Sequence, residues 1–473
     1  LLSPPHPALS PLGRGRIKPS RSPEGRGRIK KEVTVAKRLI LVFAFLIMPG
    51  FVLAAEPSSK EVEKRIGELE KRVEDIERGE AKHGTLVEEL KGHVETISRE
   101  LEMVDYRTSR IKAMQERVDA LTIGGGLSLF LQGVTNNGRG GDSADGSYSA
   151  DLFFQAPIGR YGNVFIRGMA GQGSGAPIVP VTFSGPNADL EFDDNTFKIV
   201  EAWYWTEFDV PDILDRRFEL TVGKMTPAAI FDANAVANNE LAQFMADIFV
   251  NNLAVETGGD GNGYGPGVAV GYRFTSIYNK GLNVKGSIGL FEGDGDFVGV
   301  FDRPFAIAEL DIWRPSYGLN GNYRFYAWLN NTKHSDLLTP ADDELSNKGI
   351  GMSLDQQISN DVTLFARAGF QDKDIEAFDS SFSAGAQMLG NKWRRGGDMT
   401  GVAYGFSRVS KAYEEANLAT DFASGEHYIE AYYRYKANSN LSISPDVQYV
   451  VNPGGDKSAD ALFIYALRMQ VDF

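Results

Sequence analysis

In NYRFYAWLNN (Asn322–Asn331), the residues Arg324, Tyr326, Trp328 and Asn330 fall two positions apart. A period of two places them on one face of a strand. Guanidinium forks donate to hydroxyls and aromatic rings stack on apolar C–H faces, so Arg beside Tyr and Trp suits a hydroxyl-rich ligand. The same alternation selects Arg167, Arg273, Arg367 and Arg468, and the trio Glu430, Tyr432 and Arg434. The plainer use of such residues is to fill and cross-brace a polar interior.

Bond-making chemistry lacks its parts. The chain has no Cys, which excludes thiolate metal sites, disulfides and a cysteine nucleophile. Of its five His, only His334 and His427 lie beyond residue 122, far apart and without a G-x-S-x-G elbow. His83 and His93 are single His on a helical pattern and read as tolerated polar layers. The acidic stretches Asp189–Asp194 and Glu292–Asp296 read as solvated loop tips or weak divalent-cation sites. No enzyme, cofactor or resident metal is expected. The net charge of −14 argues against nucleic acid as a partner.

The elements that must position these residues are strands. From Ile123 to Phe473, about sixteen period-two segments recur, separated by turn-rich breaks. Breaks after even-numbered segments are mostly short (DVPDILD, TSIYNKG, KANSN) and those after odd-numbered ones mostly long (Gln172–Thr196, Thr226–Tyr264, Ser410–Gly425). Loops sorted by parity fit a transmembrane barrel, with short periplasmic turns and long outer loops. The fold class expected is an all-β transmembrane barrel of about 16 antiparallel strands, preceded by an α-helical coiled coil. Arg facing lipid at mid-depth costs about 2–4 kcal/mol, so the Arg-bearing face is the inner one. The stripe Phe463, Tyr465, Leu467, Met469, Val471 and Phe473 then faces lipid, and Phe473 is expected to serve as an assembly signal.

The N-terminal quarter reads differently. Residues 1–34, Pro/Gly/Arg-rich with GRGRIK twice, are expected to be a disordered or non-native extension, with Val35 a candidate start. Residues 35–54 carry Lys37-Arg38, an apolar run and Val52-x-Ala54, the pattern of a secretory signal. Residues 55–121 show apolar positions spaced 4-3-4-3 from Val62 to Val118, a periplasmic coiled coil whose β-branched seam leans to a homotrimer. Residues 122–473 are the barrel, embedded in the lipid of the outer membrane of a Gram-negative-type cell.

The third long connection, Thr226–Tyr264, is the longest and contains NNELAQFMADIF, with Leu241, Phe244, Met245 and Phe249 at helical spacing. A loop of this length is expected to be functional. It is read as folding inward, with Asp232, Asn234, Asn238, Asn239, Glu240 and Phe244 shaping a constriction; the alternative is a lid or a trimer contact. FDANAVANNELAQFMADIFVNN, GVAYGFSRVSKAYEEAN and EHYIEAYYRYKANSNLSISPDVQYVVNPGG resemble the carbohydrate-selective (OprB-type) porin family. The resemblance implies a sixteen-stranded channel, trimeric or monomeric, passing small hydrophilic solutes, sugars among them. A general non-selective porin and an outer-membrane-to-cell-wall tether are the alternatives.

Overall fold

The computed structural model describes residues 59–77, 91–104, 107–108 and 121–473, apart from 136–142, 160, 174, 176–181, 190–194, 210–215, 259–262, 276–281, 316–317 and 342–343. The expected extension (1–34) and secretory signal (35–54) lie outside the described residues. Two units separate near residue 120. In the first, Ser59–Glu77 and 91–104 are helical. Ile66, Leu69, Val94, Ile97, Leu101 and Val104 stand half-buried among exposed charged neighbours.

The second unit is built on sixteen strands. Its first eight are β1 (Thr122–Thr135), β2 (Ser143–Ile158), β3 (Gly162–Gln172), β4 (Lys198–Asp209), β5 (Arg216–Met225), β6 (Gly265–Thr275), β7 (Asn283–Glu292) and β8 (Pro304–Trp313). The rest are β9 (Gly321–His334), β10 (Leu345–Gln357), β11 (Val362–Phe370), β12 (Phe378–Leu389), β13 (Met399–Val409), β14 (Gly425–Lys436), β15 (Leu441–Val451) and β16 (Leu462–Asp472). Each pairs antiparallel with the next, and β1 pairs with β16 from Gly126↔Asp472 to Thr135↔Phe463. The sheet is therefore a closed barrel. Closure matters physically because an open edge in lipid leaves backbone N–H and C=O groups without partners. No helix among the described residues is long and apolar enough to cross a membrane.

Alternation decides which side each residue sees. On β16, Phe463, Tyr465 and Leu467 are exposed on the outer surface, while Ile464, Ala466, Arg468 and Gln470 are buried inside. On β9, Phe325 points out while Arg324, Tyr326, Trp328 and Asn330 point in. At the short-turn end, aromatic side chains gather: Phe218 stacks on Phe208 at 5.9 Å and meets Tyr272 at 4.9 Å. Arg395 lies 4.2 Å above the Tyr435 ring there. Rings at this level are the usual anchors at a membrane–water interface.

The closure seam has its own fitting. Phe473 N–H donates to Gly125 O at 3.0 Å and Phe473 O accepts from Gly125 N–H at 3.3 Å. A Cβ on Gly125 would stand 2.7 Å from the Phe473 ring, so the ring needs glycine beneath it.

Candidate functional site

The long β5–β6 connection does fold into the barrel, and its conformation departs from the helical spacing of its apolar residues. Among its described residues, only Asp247–Val250 forms a single α-helical turn, and Pro227–Ala229 a 3₁₀ turn. The reason lies in where the backbone finds partners. Glu430 on β14 accepts from the N–H groups of Met245 (2.5 Å) and Ala246 (2.9 Å). Arg468 on β16 donates to the carbonyls of Glu240 and, at 2.9 Å, Gln243. Groups that a helix would pair with one another are paired with the wall instead.

Arg367 on β11 is the main clamp. Its Nη1 donates to the carbonyls of Ala237 (2.5 Å) and Phe249 (2.6 Å), its Nη2 to Asp232 O and Asn238 Oδ1 (2.8 Å each), and its Nε to Asp232 Oδ1 (3.2 Å). Asp232 itself sits at φ 56°, a conformation that a residue with a side chain holds only when its surroundings dictate it. Its carboxylate also accepts from Tyr326 Oη at 2.7 Å and from Asn252 N–H at 3.0 Å, and its own N–H donates to Glu309 at 2.8 Å. Arg324 donates to Ala233 O at 2.7 Å and pairs with Asp355 at 3.2 Å and Asp311 at 3.5 Å. Asn234 reaches Ser353 Oγ at 3.2 Å.

Apolar packing finishes the attachment. Phe231, Leu241, Phe244, Met245, Ile248 and Phe249 are all among the fully buried side chains. They fit because the wall is cut back to glycine where they land. A Cβ on Gly289 would lie 2.6 Å from Phe231, one on Gly401 2.8 Å from Phe244, and one on Gly405 2.5 Å from Ile248.

Most of the expected pore-lining residues are thus placed beneath the loop and turned to holding it. Arg324, Arg367, Arg468 and Glu430 spend their polar groups on its backbone, while Tyr326, Trp328 and Tyr432 are buried against its apolar side chains. They face inward as expected and are covered by the loop, the bracing use that such residues also serve. Arg167 faces the lumen but pairs with Asp151 (2.6 Å) and Glu201 (3.4 Å), and Arg273 pairs with Glu219, which Lys285 shares at 2.8 Å. Arg434 is half-buried toward the short-turn end of β14.

A second inward piece escaped sequence reasoning. Residues 182–189 of the β3–β4 connection run alongside the first loop, with Ala188 N–H donating to Met245 O and Asp247 N–H to Gly185 O, each at 2.9 Å. Glu426 secures the piece through the N–H groups of Phe183 (2.9 Å) and Ser184 (3.2 Å). The available signal was parity: Glu426 lies on the same inward face of β14 as Glu430.

What remains open is a cavity of about 640 Å³ between the loop and the β2–β4 wall. That is within the roughly 300–1,000 Å³ range of small-molecule sites. Phe153, Phe165 and Tyr264 supply rings, and Asn238, Asn239, Asn251 and Asn252 supply amides. Among the described lining residues, Glu201, Asp232, Glu240, Asp247 and Glu256 are acidic and Arg167 alone is basic. Desolvation inside the barrel pushes the Glu240 and Asp247 carboxyls up from their ordinary range. The arrangement can hold and turn a polar, hydroxylated molecule, and it holds no nucleophile–base pair among these residues.

Comparison with known proteins follows the same line. Residues 154–473 match the carbohydrate-selective porin family OprB. The chain is similar in structure to Pseudomonas putida OprB in its high-pH form (TM-score 0.63, 16% identity, 78% of this chain and 97% of that one). It is more distantly similar to the outer-membrane channel DcaP of Acinetobacter baumannii (TM-score 0.44, 12% identity, 75% and 97%). The likeness to the Pseudomonas putida structure is one of fold. No curated protein matches the sequence significantly.

Proposed function

Because this chain belongs to the carbohydrate-selective OprB family of porins, we propose that it admits sugars of limited size through the cavity between the inward loop and the β2–β4 wall. It is an outer-membrane channel and not an enzyme. The observation that carries the finer reading is the loop itself, anchored so thoroughly on β9, β11, β14 and β16 that passage is left to the opposite side. Carboxylates and amides there can exchange hydrogen bonds with successive hydroxyls, and the Tyr264 ring offers an apolar face for C–H stacking. The acidic lining disfavours anions, so the expected ion preference is for cations.

The constriction residues Asp232, Asn234, Asn238 and Phe244 act in this reading as its frame, while Asn239 and Glu240 face the solute. Two further parts are proposed with it: residues 55–121 as a periplasmic coiled coil, and assembly as a homotrimer. The half-buried apolar stripe on the described helices supports both, since such a stripe wants partner helices.

Liposome swelling with mono-, di- and oligosaccharides against amino acids of similar size tests the reading. Sugars should enter faster than size-matched amino acids, with a sharp fall as the oligosaccharide lengthens. Equal rates at equal size would leave a general porin in its place.

A further inference from the structure

Where the inward loop returns to the wall, Glu256 meets His334 at the outer end of β9 and Glu376 from the β11–β12 connection. One ligand-type atom from each lies within 4.8 Å of the others. His334 Nε2 is 2.8 Å from both Glu256 carboxylate oxygens. Its Nδ1 faces two backbone carbonyls, Thr332 O at 2.8 Å and Leu345 O at 3.4 Å. Carbonyls only accept, so Nδ1 carries a hydrogen, and Nε2 faces the carboxylate either as a second N–H in the charged ring or as a lone pair in the neutral one. Lone pair against carboxylate is repulsive unless a cation stands between them. The second carboxylate sharpens the need, and Asn347, fully buried, pins both acids by donating to Glu256 Oε2 (2.9 Å) and Glu376 Oε1 (3.0 Å).

We propose that Glu256, His334 and Glu376 form a site for a borderline divalent metal ion of the Zn²⁺ class, which staples the returning limb of the inward loop to the outer rim. One imidazole and two carboxylates around an ion with an open fourth position is ordinary zinc coordination, and the Nδ1–H to carbonyl bond is the outer support that metal-bound His usually has. Tetrahedral bonds of about 2.0–2.1 Å place ligand atoms about 3.3 Å apart, so Glu256 needs to withdraw from His334 by about half an ångström and Glu376 to settle at the same spacing. The sequence hides the site, because its three residues come from three separate elements. Its existence does not depend on which solute the channel passes.

The test uses the purified full-length protein, stripped with a chelator and titrated with Zn²⁺ alone by calorimetry. Expected is one saturable site per chain, a rise in unfolding temperature on loading, and quieter loop-dependent flicker of single-channel current. His334→Ala should weaken binding at least tenfold, and Glu376→Gln, which leaves the loop untouched, should weaken it as well. His427→Ala, whose ring lies against Tyr404 instead, should bind like the parent. No saturable Zn²⁺ binding, or binding unchanged in both His334→Ala and Glu376→Gln, would overturn the proposal and leave a protonated His334 as the cation between the acids. Equal affinity for Ca²⁺ would overturn the metal class, since imidazole contributes little to hard-cation sites.

Discussion

Arg324, Arg367 and Arg468 show how one residue type on one face can be read correctly for side and yet change role when the third dimension is added. Alternation is enough to turn them inward, because Arg in lipid is expensive. What alternation cannot convey is that another part of the chain, some 90–230 residues away, supplies carbonyls for them to hold. The consequence for mutation is direct. Arg367→Ala removes every bond of the main clamp and leaves Asp232 without its ion-pair partner, a loss of about 3–5 kcal/mol for a buried pair. The loop should loosen, so single-channel current should become noisier and larger in planar bilayers. Arg167→Ala should leave the loop in place and instead raise cation preference, by roughly two- to fivefold for one fixed charge in a narrow path. Reversal-potential measurements distinguish the two. Acid should act the opposite way. Glu240 and Asp247 have carboxyls raised by desolvation, so their charged forms cost stability above those raised values and the cost is relieved as pH falls through them. Cation preference should therefore begin to fade at a higher pH than exposed carboxylates would give, and unchanged selectivity down to pH 4 would refute it.

At the scale of elements, all sixteen strands were legible, since each carries its own period-two record and its own turn signals. The parity of loop lengths was legible too, and with it the end of the barrel at which β1 begins and β16 finishes. The helical expectation for NNELAQFMADIF shows where such reading stops. Leu241, Phe244, Met245 and Phe249 have helical spacing, but their backbone was claimed by Glu430 and Arg468 on strands far along the chain. Local pattern yields when a wall satisfies the same groups without it. The wall glycines offer the cleanest test of the element as a plug. Gly405→Val on β13 leaves every polar anchor intact but puts its added methyls where Ile248 sits. Overpacking of this kind costs about 1–3 kcal/mol, enough to shift a loop without unfolding a barrel. Conductance should rise and the sugar size limit relax, as with deletion of Asn238–Phe249. Normal size discrimination in both variants would show that the loop is a lid or a contact between copies, and that something else sets the limit.

Whole-molecule behaviour turns on what the two units do together, and each unit states its own needs. The barrel needs closure, and β1–β16 pairing with Phe473 over Gly125 provides it. Gly125→Leu should therefore slow assembly and lower the temperature at which the barrel loses its heat-modifiable gel mobility, with pore properties unchanged in whatever fraction folds. The helical unit needs burial for Ile66, Leu69, Val94, Ile97, Leu101 and Val104, which on a single helix are only partly withdrawn from water. Six such residues fully covered are worth about 1.5–3 kcal/mol each relative to exposure, against helices weakened by about 1 kcal/mol at each internal glycine such as Gly67 and Gly92. Association therefore wins if the stripes of three chains meet, and polar substitutions in both helical segments should weaken it. Native mass spectrometry of the full chain in detergent should show a trimer. Leu101→Asn together with Ile66→Asn should shift it toward monomer while bilayer conductance per barrel stays the same, because each lumen is complete within one chain. A trimer that survives both substitutions would place the contact on the outer surface of the barrels and leave the helices to a different partner.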